Sequence, residues 1–249
     1  MGDAVCTEIP ALLATMMGAS PDLVLVLEAS TSAASVALLR GVVPLGVRAV
    51  AMGASRDDAM FPAVQMLLAD AALAVKDLDA IVCGAGPGSF TSLRIAAALA
   101  KGLSHAAAVP LFAVPSLLLA AATHVASLET AHPLAGRMLV HSDALRDERY
   151  VLRVLVTTDG MVHADGDVER IPVGALASSA GDRLLLAVAG GATAFAAPVV
   201  SPDAAALTRI AEWRTRGAVD TATWEPAYGR LAEAQVKWES QHQRPLAIG

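Results

Sequence analysis

Cysteine is scarce in this chain, which has only two among its 249 residues, Cys6 and Cys83. Two cysteines cannot make the disulfide framework typical of small secreted proteins, and Cys83 lies in an apolar run that predicts a core strand. Residues 1–20 contain no lysine or arginine, so they lack the basic segment that begins a signal peptide. These absences predict a protein of the reducing cytoplasm with no membrane-spanning segment.

Aromatic and basic side chains are also few. Aromatic residues make up 4% of the chain although 55% of it is hydrophobic, because alanine, valine and leucine supply most of the apolar content. Lysine and arginine number 18 against 24 acidic residues, which gives a formal net charge of −6. An acidic surface is a poor electrostatic match for nucleic acid, so we expect no independent binding of RNA or DNA.

The standard motifs for nucleotides and metals are missing. Neither G-x-x-x-x-G-K-[ST] nor G-x-G-x-x-G occurs. No histidine has another histidine four residues away, and the H-E-x-x-H pattern is absent. The residues therefore predict neither a mononuclear metal site nor protease chemistry, and we assign no catalytic residue.

The most informative stretch of the chain is residues 81–94. It begins as a buried strand, breaks into a glycine-rich turn and restarts as a helix that Ser89 or Thr91 can cap. Free N–H groups at a helix N-terminus can hold an anion, which would make this loop a weak nucleotide site. A tight strand-to-helix turn explains the same residues without any ligand. The glycines that both interpretations must explain are Gly84, Gly86 and Gly88.

The order of the predicted elements repeats along the chain. In the first half a buried strand ends at Glu28, two more strands follow, and a helix leads to the strand before the glycine loop. The second half has a strand ending at Asp143, two more strands, and later a strand that enters a second pair of glycines. This duplication predicts an α/β protein with two lobes of the actin, Hsp70 and sugar-kinase (ASKHA) type, in which mixed sheets are flanked by helices. The predicted parts are an extension at 1–22, a first lobe at 23–125, and a smaller second lobe with a tail at 126–249.

Two facing lobes of this type enclose a cleft that holds a nucleotide. The candidate contacts for ATP or ADP are Ser30, Thr31, Gly84, Gly86, Gly88 and Asp143. Superfamily kinases keep an aspartate followed by glycine at the first turn, whereas here Glu28 is one methylene longer and Ala29 follows it. Ala144 likewise follows Asp143. The two Cβ atoms crowd the phosphates, so the favoured role for Glu28 is to brace its own turn.

Helices predicted at 59–75 and 91–108 carry more apolar surface than one sheet face can cover. Obligate interfaces resemble a divided core, so we expect these two helices to bind a partner protein. The alanine-rich composition offers the other explanation for the same apolar faces. The predicted interface residues are Phe61, Met66, Leu73, Leu93, Ala97 and Ala100.

Several segments resemble the TsaB family, formerly called YeaZ. The most specific one reads Gly84-Ala85-Gly86-Pro87-Gly88-Ser89-Phe90-Thr91. Further matching segments are Leu27-Glu28-Ala29-Ser30-Thr31, Leu93-Arg94-Ile95, Lys101-Gly102-Leu103, Asp143-Ala144, Glu148-Arg149-Tyr150, Pro226, Tyr228, Arg230 and Glu233-Ala234-Gln235. The likeness covers residues 23–237. Residues 1–20 lie outside it, which leaves open a poorly ordered extension and a start at Met16 or Met17.

The resemblance implies a role in forming N6-threonylcarbamoyladenosine at position 37 of tRNA. In that family TsaB is a non-catalytic paralogue of the transferase TsaD, with which it pairs through helices of the N-terminal lobes, and the ATPase TsaE joins them. The resemblance therefore implies a heterodimer with a TsaD-like transferase and a TsaE-like ATPase as a further partner. It implies that no cofactor is required and that tRNA is contacted only through the complex. It also implies a homodimer when the chain is alone. The transferase's metal-binding H-x-x-x-H pair has no counterpart in residues 55–60.

Two other functions remain open at this point. One is a stand-alone phosphotransferase that uses Asp143 and the glycine loop. The other is a binding module whose cleft senses ADP or ATP to regulate assembly.

Overall fold

The computed structural model describes residues 22–53, 59–128, 136–190 and 197–228, together with Gln241. The predicted extension at 1–22, apart from Asp22, and the tail after residue 228, apart from Gln241, lie outside the described residues. Within the described residues the strands form two mixed sheets, and each sheet is flanked by helices.

The first sheet has the strand order β3-β2-β1-β4-β5. Its strands are β1 Leu23–Glu28, β2 Ala33–Arg40, β3 Val43–Ala51, β4 Ala80–Gly84 and β5 Leu111–Val114. All six residues of β1 are buried, because β1 lies at the centre of the sheet and is covered on both faces. It pairs antiparallel with β2 and parallel with β4, and this pairing brings the end of β1 beside the glycine loop.

The second sheet repeats that arrangement. Its strands are β6 Gly136–Leu145, β7 Glu148–Val156, β8 Val162–Ala164, β9 Glu169–Pro172, β10 Leu184–Val188 and β11 Val199–Val200. Here β6 pairs antiparallel with β7 and parallel with β10, as β1 does with β2 and β4. The predicted duplicated two-lobe α/β architecture is confirmed.

The helices are α1 Met60–Asp70, α2 Phe90–Ala107, α3 Ser116–Ser127 and α4 Leu176–Ala180, with short 3-10 helices at Val75–Asp77, Val173–Ala175, Ala204–Arg209 and Ala211–Trp213. Helices α1 and α2 pack on one face of the first sheet, in a core with the odd-numbered leucines of β1. Helix α3 is buried over most of its surface because it packs with side chains of both sheets in one continuous core. This shared core joins the two lobes around the cleft.

Several boundaries differ from the predictions. The helix predicted at 59–75 ends at Asp70, because Ala72 adopts a positive φ of 54° and the N–H of Leu73 bonds back to the carbonyl of Leu68. Alanine carries no signal for such an ending, which glycine usually supplies. The segment after Asp203 forms two 3-10 helices, and strand β9 was not predicted. Asp57 and Asp58, whose side chains could cap a helix that starts at residue 59, lie outside the described residues.

Residues 219–228, which we call the strap, return from the second lobe to the first. The N–H of Val219 bonds to the carbonyl of Leu111 at 2.8 Å, and the N–H of Ala227 bonds to that of Ala85 at 2.8 Å. Trp224 packs against the core of the first lobe. The strap therefore runs from the edge strand β5 across to the glycine loop.

Candidate functional site

A cleft of about 500 Å³ opens between the two sheets. It is lined by the turn after β1, the end of β3, the N-terminus of α2, and the ends of β6 and β10. Four of the six predicted nucleotide contacts line it, namely Ser30, Thr31, Gly88 and Asp143. Gly84 and Gly86 lie behind that surface.

Glu28 is 1% exposed and both of its carboxylate oxygens are engaged. Oε1 accepts a hydrogen bond from the N–H of Ser30 at 2.6 Å, and Oε2 accepts one from the hydroxyl of Ser116 at 2.8 Å. Ser116 Oγ in turn accepts a bond from the N–H of Gly86 at 3.1 Å. A Cβ atom at Gly84 would lie 1.9 Å from Oε2, so only glycine leaves room for the carboxylate. The predicted bracing role of Glu28 is confirmed.

Burial raises the pKa of Glu28, and the hydrogen bonds from Ser30 and Ser116 oppose that rise only in part. The carboxylate is closed off from the cleft, since Glu28 is buried and both of its oxygens accept hydrogen bonds within the chain. In this position it cannot bind a metal ion or a phosphate in the cleft. It holds the turn after β1, the start of α3 and the glycine loop together.

The other two glycines of the loop are also placed by contacts within the chain. A Cβ atom at Gly86 would lie 2.4 Å from the carbonyl oxygen of Ala227, and Gly86 has a positive φ of 79°. A Cβ atom at Gly88 would lie 2.2 Å from the carbonyl oxygen of Ser30. The loop thus packs against the strap on one side and the β1 turn on the other. These contacts account for the glycine-rich pattern without a phosphate.

The electrostatics of the cleft are set by Asp143, the only ionisable residue in its described lining. Asp143 Oδ1 accepts a hydrogen bond from Arg149 Nη1 at 2.6 Å and another from the N–H of Leu145 at 3.1 Å. Arg149 is 8% exposed, so the cation of this pair is largely shielded from water, while Asp143 lines the cleft. The hydroxyl of Ser142 is buried and has no hydrogen-bond partner among the described residues. The described lining offers hydroxyls but no lysine or arginine side chain for a triphosphate.

In the part of the chain that the structure describes, no three histidine, cysteine, aspartate or glutamate side chains are grouped to hold a metal ion. His141 is 3% exposed, and burial together with the nearby Arg149 lowers its pKa to about 4, so the ring is neutral at pH 7. Cys83 is a buried free thiol whose pKa burial raises, so it is unreactive as a nucleophile.

The six predicted interface residues fall into two groups. Phe61 is 48% exposed and Met66 is 52% exposed, so α1 presents both to the outside, and Leu73 is partly buried against the first core. The other three predicted residues do not lie on an accessible face. Leu93, Ala97 and Ala100 are buried, at 0%, 3% and 0% exposure.

The physical reason is the position of α2 between the sheet and the strap. Ala96, Ala100 and Leu103 face the first core. Ala97 forms the floor of a groove whose opposite wall is the strap. The accessible stripe of α2 runs instead along Arg94, Ala98, Gly102 and His105.

Sequence reasoning missed two features of this region: the role of Ser116 and the ion pair that Arg149 makes with Asp143. Ser116 lies at the start of α3, and it connects Glu28 to the glycine loop across 88 residues. Arg149 pairs with Asp143 from the next strand, and a cation six residues after an acid in a predicted hairpin could have indicated this pair. No local pattern marks the contacts of the strap with the first lobe.

Comparisons with known proteins place this geometry in a family. A family model described as "TsaD: tRNA N6-adenosine threonylcarbamoyltransferase" matches residues 26–194. The Mycobacterium tuberculosis protein Rv3421c is 33% identical over 236 residues, which cover 90% of this chain and 95% of that protein. The TsaB protein of Haemophilus influenzae is 34% identical over 93 residues, 37% of this chain and 39% of that protein. The structure of YeaZ from Pseudomonas aeruginosa matches with a TM-score of 0.68 and 26% identity over 83% of this chain and 99% of that chain.

Two duplicated mixed sheets around a cleft define the class, an α/β protein of the two-lobed actin-like type. The family model matches more than half of the chain, and the YeaZ structure matches most of it. These two matches identify the family. The chain belongs to the TsaD family of this model, and within it to the TsaB (YeaZ) group. The predicted resemblance is confirmed. Among the described residues, no helix is long and apolar enough to cross a membrane.

Proposed function

We propose that the chain is a non-catalytic partner of a TsaD-like transferase in the N6-threonylcarbamoyladenosine modification of tRNA position 37. The observation that carries this proposal is the burial of Glu28, whose two oxygens are bonded to Ser30 and Ser116. The acid that a superfamily kinase would use at this turn is therefore part of the scaffold. The tRNA pathway comes from the proteins that the chain resembles, which are named for threonylcarbamoyladenosine biosynthesis.

The outer face of α1 supports a binding role. Phe61 and Met66 are among the most exposed large apolar side chains of the described residues. They lie five positions apart on α1, with the exposed Pro62 and Gln65 between them on the same side. Exposed apolar side chains on one helix face are typical of a protein interface. In this proposal the TsaD-like transferase covers that face, a TsaE-like ATPase joins the pair, and tRNA is contacted through the complex.

A nucleotide-sensing role is the second candidate, and the buried hydroxyl of Ser142 favours it. Ser142 lines the cleft from the second lobe, and its hydroxyl has no hydrogen-bond partner among the described residues. An unpaired buried hydroxyl is costly, and a ligand such as ADP or ATP could satisfy it. In that case the cleft would regulate assembly and still perform no phosphate transfer.

The test is co-expression with the TsaD-like paralogue of the same organism, followed by size-exclusion chromatography with light scattering. We expect a one-to-one complex and loss of tRNA modification when this chain is omitted. A chain that does not bind the paralogue and hydrolyses ATP or phosphorylates a metabolite alone would overturn the proposal. Titration of the purified chain with ADP, followed by calorimetry, separates the second candidate from the first.

Replacing Met66 by aspartate is expected to weaken binding to the paralogue at least tenfold, about 1.4 kcal/mol, because a charge would be buried in the apolar contact. Circular dichroism should show the fold intact, since Met66 is 52% exposed. The matched control is Val199→Asp, which places the same charge at a 56% exposed apolar residue of the second lobe and should leave binding unchanged. Equal affinities for both variants would place the interface away from α1.

A further inference from the structure

A second pocket, which we call the rear pocket, lies at the start of β1, the opposite end of that strand from the cleft. Its volume is about 230 Å³. Asp22, the turn between β2 and β3, and the two 3-10 helices at Ala204–Arg209 and Ala211–Trp213 contribute to its lining. Met161, from the turn before β8, also lines it. The rear pocket therefore lies where elements of both lobes meet, and it shares no lining residue with the cleft.

The rear pocket is suited to an apolar occupant. Its inner wall includes four residues of the core that joins the two lobes: Val24, Leu39, Leu207 and Ile210. The two charged residues of its described lining, Asp22 and Arg214, form an ion pair with each other. The hydroxyl of Thr208 donates a hydrogen bond to the carbonyl of Ala205 at 3.0 Å. An apolar side chain in this pocket would extend the shared core.

Exposed valines continue the apolar surface at the mouth of the rear pocket. Val42 lines the pocket and is 74% exposed, and its neighbour Val43 is 57% exposed. The N–H of Gly41 bonds to the carbonyl of Asp22 at 2.9 Å, so both valines lie close to the point where the chain enters β1. Turns are usually built from polar residues and glycine, so two exposed valines at a turn indicate a surface that something covers.

The sequence that leads into Asp22 has the chemistry of such a cover. Residues 9–17 contain no ionisable side chain. Their large apolar residues follow the spacing of an apolar stripe on a helix: Ile9, Leu12, Leu13, Met16 and Met17. Methionine side chains are unbranched and adapt to irregular apolar gaps. Residues 9–17 therefore offer the apolar side chains that the rear pocket would accept.

The position of residues 9–17 in the chain also favours them as the occupant. Met17 is five residues from Asp22, a span of at most about 17 Å, and Asp22 itself lines the pocket. A short connection gives an effective concentration on the order of millimolar, so even a weak contact would be formed within the chain. The C-terminal tail follows Tyr228, whose ring contacts Phe90 beside the glycine loop, at the other end of β1.

We propose that residues 9–17 dock into the rear pocket and over Val42 and Val43, with Leu13 at the centre of the contact. The N-terminal segment would then clamp the two lobes together on the side away from the cleft. This contact is made within one chain, so it does not depend on the proposed function.

The experiment compares charge substitutions in the full chain by thermal unfolding. Leu13→Asp is expected to lower the unfolding midpoint by about 4 °C or more, because the contact loses a buried leucine. The matched control is Ala11→Asp, which places the same charge two residues away and off the stripe and should stay within about 2 °C of wild type.

The partner surface is tested by Val42→Asp, which should lower the midpoint in the wild-type background and have much less effect in the Leu13→Asp background. Val199→Asp, at a 56% exposed valine of the second lobe, should have the same small effect in both backgrounds. Removal of residues 1–20 gives an independent measurement by hydrogen exchange. Amides in residues 39–43 and 207–214 should exchange faster in the shortened chain, while those of β7 keep their rate.

Four results would overturn the inference, and each leaves the proposed function in place. Equal midpoints for Leu13→Asp and Ala11→Asp, or unchanged hydrogen exchange in the shortened chain, would mean that residues 9–17 do not cover the pocket. Strictly additive effects of Leu13→Asp and Val42→Asp would place the segment on another surface. A wild-type dimer that becomes a monomer in Leu13→Asp, measured by light scattering, would seat the segment on a second copy. An effect of Leu13→Asp on paralogue binding alone would assign the segment to that interface.

Discussion

Replacing Gly88 by alanine is expected to destabilise the chain by about 3 kcal/mol. The new Cβ would lie 2.2 Å from the carbonyl oxygen of Ser30 and 2.6 Å from its Cα, and both neighbours are backbone atoms that cannot rotate away. The N–H of Ser89 also bonds to that same carbonyl at 2.8 Å, so a shift of the loop would break a hydrogen bond. Urea unfolding followed by circular dichroism measures the change.

The matched control is Gly102→Ala in the middle of α2. No heavy atom lies within 4 Å of its Cβ position, and the substitution should stabilise the helix by about 0.5–1 kcal/mol. A Gly88→Ala variant as stable as this control would mean that the loop is not packed against the β1 turn. A phosphate-binding role for the loop would then regain support.

The position of the glycine loop could be predicted from the sequence, whereas the role of its glycines could not. A strand, a glycine-rich turn and a helix are local patterns, and β4 and α2 form where they were predicted. The atoms that exclude a Cβ at Gly84, Gly86 and Gly88 belong to residues far away in sequence. Such contacts depend on the folded topology, which no local pattern records.

The outer face of α2 shows a second limit of prediction from the sequence. Alanine fits both a core and a surface, so a helix rich in alanine has no clear apolar stripe from which to orient it. Leu93, Ala97 and Ala100 were predicted at an interface, yet all three are buried. Ala100 packs in the first core, Ala97 lies beside the strap, and Leu93 lies against Gly86 of the glycine loop. On α1, where methionine and phenylalanine break the alanine pattern, Phe61 and Met66 are exposed, which leaves them accessible for the predicted interface.

The bracing role of Glu28 could be predicted because Glu28 and Ala29 depart from the residues that a phosphate site needs. Ser116 was beyond that reasoning, since it reaches Glu28 from the start of α3. The interaction of Glu28 within its own turn was thus predictable. Its hydrogen bond with the distant Ser116 was visible only in the fold.

Replacing Glu28 by alanine is expected to cost about 3 kcal/mol or more of stability, because it leaves a void and removes the acceptor of the Ser30 N–H and the Ser116 hydroxyl. Adding Gly84→Ala should be far less damaging in that background than in wild type, since its Cβ would occupy space that Glu28 Oε2 has left. A double-mutant cycle by urea unfolding measures the coupling. Strict additivity would mean that the two residues do not share this space.

Glu28→Gln separates the scaffold role of this residue from a catalytic one. The folded state raises the pKa of Glu28 above its ordinary value, so the folded chain holds the proton more tightly than the unfolded chain. The stability from this group is complete below the unfolded pKa near 4.5 and falls as pH rises through the raised value. Glutamine keeps an acceptor for Ser30 and never ionises, so the variant should gain stability relative to wild type as pH rises from 4 to 8.

The same variant also distinguishes the functions. A phosphotransferase that used this acid for magnesium or phosphate would lose activity with glutamine in its place, because an amide is a weaker ligand and carries no charge. A partner of the transferase should support tRNA modification at the wild-type level, since the amide can brace the turn as the carboxyl group does. Full tRNA modification by Glu28→Gln together with poor modification by Glu28→Ala would assign Glu28 to the scaffold, whereas loss in both would return it to the chemistry of the cleft.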